Sequence, residues 1–160
     1  MTLLKSYYQL CKPNVVYMML ICAFVGMLLA EETVRSFGYL FVALSGIALC
    51  SASAAAINQV IDRNTDASMT RTDQRPLPKG ELSATHASVF AFVIGVIGTL
   101  ILYFYVNTLT MILTIASLIG YAFIYTIYLK RATPQNIVIG GLAGAAPPLL
   151  GLSLIHISRA

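Results

Sequence analysis

Charged residues are confined to short stretches, and between them lie apolar runs of a length that only a membrane makes useful. Crossing about 30 Å of hydrocarbon at about 1.5 Å per residue takes roughly 20 apolar residues in a helix. Residues 13–30 form the first uncharged run and residues 37–61 the second. Residues 82–129 contain no Asp, Glu, Lys or Arg. That is too long for one crossing and fits two helices broken near Val106, Asn107 and Thr108, paired as a tight hairpin. A fifth run, residues 132–158, is interrupted by Pro147 and Pro148, and proline breaks a helix interior. The pattern predicts an all-α integral membrane bundle of about four complete transmembrane helices and a partial fifth.

Basic residues set the orientation, because short loops rich in Lys and Arg stay on the cytoplasmic side. Lys5 and Lys12 precede the first run, Arg63, Arg71, Arg75 and Lys79 lie between the second and third helices, and Lys130 and Arg131 follow the fourth. The opposite face carries Arg35 beside Glu31 and Glu32. The N-terminus is therefore expected in the cytoplasm. The first apolar run is too long for the hydrophobic region of a cleaved signal peptide, so it is expected to be retained.

Composition agrees: 58% of the 160 residues are hydrophobic and 10% charged, with a mean hydropathy of +0.81, outside the range of a soluble domain. The net charge of +4 does not point to nucleic acid, since its basic residues are split among loops and make no continuous patch. Cys11, Cys22 and Cys50 are scattered and form no C-x-x-C pair; they read as packing residues.

Chemistry enters at the end of the second run. Small residues, Ser51 through Ala56, suit close helix packing in lipid. Asn58, Asp62 and Asp66 follow at a spacing of four, which puts three oxygen-bearing side chains on one helical face. Two carboxylates so spaced repel, and a shared cation relieves them. Oxygen donors of this kind suit Mg²⁺, which favours phosphate oxygens and retained waters. Taken alone, such a stripe also describes the solvated end of a helix. Arg71 and Arg75, again four apart, change the balance, because guanidinium groups bind phosphate oxygens in bidentate fashion. A calcium loop competes for Asp62, Asn64, Asp66, Ser68 and Asp73, but Ala67 stands where its sharp turn needs glycine.

Residues 58–76 resemble the first aspartate-rich motif of the UbiA superfamily of intramembrane prenyltransferases. Residues 125–141, with the continuation through Pro147, Pro148 and Gly151, resemble the branch of that superfamily that farnesylates protoheme. The entry Leu10, Cys11, Lys12, Pro13 is similar as well. The resemblance covers residues 1–151 and implies a UbiA-type helical bundle in a bacterial-type inner membrane. It implies transfer of a farnesyl group from farnesyl diphosphate to a vinyl group of protoheme, with Mg²⁺ as cofactor and the lipid bilayer as surroundings. Protein partners are not specified by it. It implies that Asn58, Asp62 and Asp66 hold Mg²⁺-diphosphate, with Asp62 and Asp66 catalytic, and that Arg71, Arg75 and Lys130 contact diphosphate oxygens. Lys130, just past a span, reads equally as a topology anchor.

The superfamily pattern has about nine helices and a second acidic motif, so residues 1–151 correspond to an N-terminal half, expected to be inactive alone. Residues 152–160 depart from the pattern and read as a foreign tail. Another aromatic or chlorophyll prenyltransferase shares the acidic motif and differs in the 125–151 stretch. A small transporter or a non-catalytic scaffold explains polar residues at a helix end but leaves Arg71 and Arg75 without a role. His86 and His156 read as an interfacial residue and a tail residue rather than as heme ligands.

Overall fold

The structure, a computed structural model, describes residues 3–29, 37–70, 72–120 and 148. The predicted fifth run apart from Pro148, the tail at 152–160, His156, Arg71 and Lys130 lie outside the described residues.

Five helices follow one another: α1 (Leu3–Leu10), α2 (Pro13–Leu29), α3 (Phe37–Ala67), α4 (Ala84–Tyr105) and α5 (Thr108–Ile119). The apolar runs place four of them. Pro13 opens α2 at a first-turn position, where the N–H it lacks would have no helical partner. The uncharged stretch after residue 82 breaks as its composition predicts. Ser83 caps α4 by accepting from the backbone N–H of His86, and Asn107 caps α5 by accepting from that of Thr110 at 2.7 Å. Only Val106 and Asn107 separate α4 from α5. The short α1, which no apolar run announces, bends from α2 by 45°.

Two helices, α3 and α4, are each long and apolar enough to cross a membrane, and α1 with α2 qualifies as one bent span. At 31 residues α3 is about 46 Å long, by about 1.5 Å per residue. It therefore outreaches the hydrocarbon, and its polar last turns continue the same helix beyond it.

Packing is inverted relative to a soluble protein. On α4 the large Val89, Phe92, Ile97, Leu100 and Phe104 are exposed, whereas Ala87, Ala91 and Gly98 are buried against α3. Lipid is as apolar as any core, so the inward face is selected for closeness rather than hydrophobicity. A Cβ at Gly98 would lie 2.8 Å from Cys50 Sγ and 2.9 Å from the Gly46 carbonyl oxygen. Beside this contact the Ser53 hydroxyl donates to the Ala91 carbonyl at 2.7 Å. Gly98→Ala is accordingly expected to destabilise the α3–α4 pair by about 1–3 kcal/mol, read as a lower unfolding temperature in detergent, while Val96→Ala on the exposed face leaves it unchanged.

Two apolar clusters tie the helices together. Ala23, Met27, Ala43, Ile47, Cys50 and Leu102 join α2, α3 and α4. Leu10, Ala56, Leu82, Ala87 and Ala91 join α1 to the far end of α3 and the start of α4. The second cluster supports the polar site, and with it the basic segments around Lys12 and Arg75 are gathered at one end of the bundle.

Candidate diphosphate site

The last turns of α3 are polar yet buried. Asn58, Asp62 and Asp66 are only 5%, 3% and 4% exposed, as their four-residue spacing predicts for one face, while Arg63, Asn64 and Ala67 on the other side are exposed. Burial rules out the solvated helix end as an account of the stripe. A buried carboxylate is costly unless it has partners; Asp66 finds one in the α3–α4 loop and Asp62 in Asn58 of its own helix, which is in turn held from the α1–α2 link.

Arg75 returns from the α3–α4 loop, its Nη1 lying 2.5 Å from Asp66 Oδ2. The same loop is pinned by the Thr72 hydroxyl, which donates to the Asp66 backbone carbonyl at 2.9 Å. This oxygen belongs to the last turn of α3, whose final carbonyls have no helical donor. Leu77 and Leu82 hold the loop to the apolar cluster, and Gly80, at φ +71°, supplies the left-handed turn before α4.

At the other end of the stripe Lys12, in the link between α1 and α2, donates from Nζ to Asn58 Oδ1 at 2.5 Å. The Asn58 amide then donates from Nδ2 to Asp62 Oδ2 at 3.2 Å. Lys12 has a φ of +49°, a left-handed conformation that costs a residue with a side chain about 1–3 kcal/mol. Gln59, beside Asn58 and 2% exposed, clamps α1 to α3: its Nε2 donates to the backbone carbonyls of Gln9 at 3.2 Å and Leu10 at 3.0 Å. Its Oε1 is buried with no partner among the described residues. The Ser6 hydroxyl adds a bond to Glu81 Oε2 at 2.6 Å, joining α1 to the loop that carries Arg75.

Of the residues expected from sequence, Asn58, Asp62, Asp66 and Arg75 are brought together. Lys12 and Gln59 were missed. Lys12 reads as a topology anchor because it precedes a span, and Gln59 falls off the strict four-residue spacing. Their signal was a lysine before the helix-opening proline and a second amide in the polar end of α3. The calcium loop does not form, since Asp62, Asn64 and Asp66 are all within α3. Among the described residues no three His, Cys, Asp or Glu side chains converge to hold a metal by themselves. His86 is exposed, and its ring Nδ1 lies 3.0 Å from the capping hydroxyl of Ser83.

The donor set suits a hard cation. Two buried carboxylates and an amide oxygen supply oxygen ligands, and the flanking Lys12 and Arg75 are cations suited to phosphate oxygens. Such a set could hold a metal-bound diphosphate, with oxygens of the anion completing the shell. Asp73 keeps a buried Oδ1 without a partner among the described residues, a further acceptor in the same loop.

The chain is 59% identical over 151 residues to protoheme IX farnesyltransferase 2 of Pseudoalteromonas atlantica, covering 94% of this chain and 50% of that protein. It is 59% identical over 147 residues to protoheme IX farnesyltransferase of Idiomarina loihiensis, covering 92% and 49%. The chain thus spans about half the length of the curated relatives it matches. A solved UbiA homologue from Archaeoglobus fulgidus, bound to DMAPP and Mg²⁺, superposes with a TM-score of 0.81 at 20% identity, over 94% of this chain and 55% of that one. Residues 19–159 match the family described as the UbiA prenyltransferase family, and the chain belongs to it.

Proposed function

We propose that this chain supplies the first diphosphate-binding half of an enzyme that transfers a farnesyl group from farnesyl diphosphate to a vinyl group of protoheme. The observation that carries this reading is the buried stripe of Asn58, Asp62 and Asp66, closed by Arg75 at one end and Lys12 at the other. The relatives' names support farnesyl transfer to heme, and the solved neighbour's prenyl diphosphate and Mg²⁺ support the ligand class.

Breaking the allylic C–O bond of a prenyl diphosphate leaves negative charge on the departing diphosphate, and stabilising that charge is the main catalytic task. Magnesium, when bound, supplies Lewis-acid neutralisation of those oxygens. Asp62, Asp66 and the Asn58 amide would hold it. Arg75 and, by the family resemblance, Arg71 and Lys130 hold the remaining diphosphate oxygens. Burial of the stripe excludes water, which would otherwise capture the prenyl cation and would weaken every charge interaction. The setting proposed is a bacterial inner membrane with the N-terminus in the cytoplasm, residues 1–151 forming the half-domain.

The test is a polypeptide in which residues 1–151 are continued by the C-terminal half of the Pseudoalteromonas atlantica relative, reconstituted with farnesyl diphosphate, protoheme and Mg²⁺. A heme product bearing a hydroxyethylfarnesyl group is expected by mass spectrometry: diphosphate leaves, the farnesyl carbon bonds to the vinyl terminus, and a water admitted after that bond has formed adds to the resulting cation with loss of a proton. Prenylation of a quinone precursor and not of heme would replace the acceptor; no transfer to any acceptor would overturn the reading.

A further inference from the structure

We propose that the groove between α1 and the start of α4 binds an anionic phospholipid, one acyl chain lying against its apolar walls and the headgroup phosphate meeting Lys5. The lipid belongs to the leaflet on the basic side of the bundle, cytoplasmic in the proposed orientation. None of Asn58, Asp62, Asp66 and Arg75 lines this groove, so it is separate from the diphosphate site.

The helix itself has two faces. Ser6 and Leu10, four apart, are 2% and 0% exposed and turn into the bundle, whereas Leu3, Leu4 and Tyr8 are 64%, 82% and 55% exposed. A short helix that shows leucines and a tyrosine outward beside an exposed lysine suits the boundary between headgroups and hydrocarbon. Its 45° bend from α2 turns it away from the direction of that helix. The same end of the bundle carries the exposed Arg63 and Lys79, and basic side chains near a membrane surface draw anionic lipids to it.

Beside α1 a cavity of about 570 Å³ is lined by Leu4, Lys5, Tyr7, Tyr8, Cys11 and Phe90. Leu4, Tyr8 and Cys11 recur at helical spacing, so one side of α1 forms a continuous wall. Phe90 of α4 supplies the opposite wall, its ring centroid 4.8 Å from that of Tyr7. The walls are held in place from outside the groove. The Ser6 hydroxyl donates to Glu81 Oε2 at 2.6 Å, and Gln59 Nε2 donates to the carbonyls of Gln9 and Leu10. A groove fixed at both ends of its helix is preformed, which separates it from the transient lipid contacts of the outer faces.

Charge selects the occupant. No acidic side chain lines the groove, and Lys5 is its one cation. A lysine on such a surface lays its apolar stem along the wall and carries its ammonium to the rim. An apolar helix would fill the walls and leave that ammonium unpaired. A phospholipid of negative headgroup brings hydrocarbon for the walls and phosphate for Lys5 in one molecule.

The test releases the 160-residue chain from detergent micelles into a native mass spectrometer with equal amounts of phosphatidylglycerol and phosphatidylcholine of the same acyl chains. A phosphatidylglycerol with a diazirine in its acyl chain then maps the contact by crosslinking. Preferential retention of phosphatidylglycerol, with crosslinks at Tyr7, Tyr8, Cys11 or Phe90, is expected. Lys5→Met should lower that preference roughly fivefold, the contribution of one basic side chain near an anionic surface, and Lys5→Arg should keep it. Leu4→Gln, at a position 82% exposed and so without consequence for folding, should lower retention of both lipids and leave their ratio unchanged. Equal retention of the two lipids by the unaltered chain, or an undiminished preference in Lys5→Met, overturns the proposal. So do crosslinks spread over Phe92, Ile97 and Phe104 on the outer face of α4, which would mean lipid contact without a site. Loss of the crosslinks in the polypeptide extended by the C-terminal half would show the groove covered by protein. Their displacement by farnesyl diphosphate would assign it to a prenyl tail, and either result overturns the phospholipid.

Discussion

Asp62→Ala in the extended, active polypeptide is expected to lower kcat/KM for farnesyl transfer by roughly a hundredfold to a thousandfold, the loss seen when one preorganised group facing developing charge is removed. Asp62 is 3% exposed, so water cannot replace the missing oxygen. Asn58 donates to its Oδ2, so the substitution also frees the amide to turn. Asp62→Asn keeps the volume and removes the charge. It should therefore retain thermal stability and show the same loss, partly recovered at high Mg²⁺. A full rate in either variant would show that the carboxylate is not a ligand.

The second large effect is expected at Arg75, where structure and chemistry can be separated. Asp66 is 4% exposed and lies 2.5 Å from the Arg75 guanidinium. Removing one partner of a buried pair leaves an uncompensated charge, a loss of about 3–5 kcal/mol when both partners are buried. Arg75 is partly exposed, so about 2 kcal/mol is the expected cost of Arg75→Met, after discounting for solvent screening. It would be measured by thermal unfolding in detergent. Neutralising both groups, in Arg75→Met with Asp66→Asn, is expected to recover most of that stability, because no orphan charge remains. Diphosphate binding should be lost in Arg75→Met and in the double variant alike. Recovery of binding along with stability would mean that Arg75 serves only to dock the loop.

These two residues also show the limit of reading a chain locally. The four-residue rhythm of Asn58, Asp62 and Asp66 is a property of the helix, so it survives whatever packs around it. Which cation meets which carboxylate is not local. The spacing of Arg71 and Arg75 suggested a shared anion, while the structure adds that Arg75 pairs with Asp66. Lys12 was legible only as one more positive charge beside a span.

The sequence by itself determined where α2, α3, α4 and α5 lie and the break between the last two. Uncharged runs must match the hydrocarbon thickness, proline opens α2, and serine and asparagine at the caps start α4 and α5. It also determined the composition of the stripe, because helical periodicity acts over a single turn. Only the tertiary structure decided that the stripe is buried and that α1 is a helix folded against α3. It likewise decided that Gln59 clamps the two and that Lys12 and Arg75 close the ends. Each of these depends on segments far apart in the chain meeting at one end of the bundle. That meeting is fixed by the close contact of small residues across α3 and α4 and by the apolar cluster beneath the site, which no local pattern encodes.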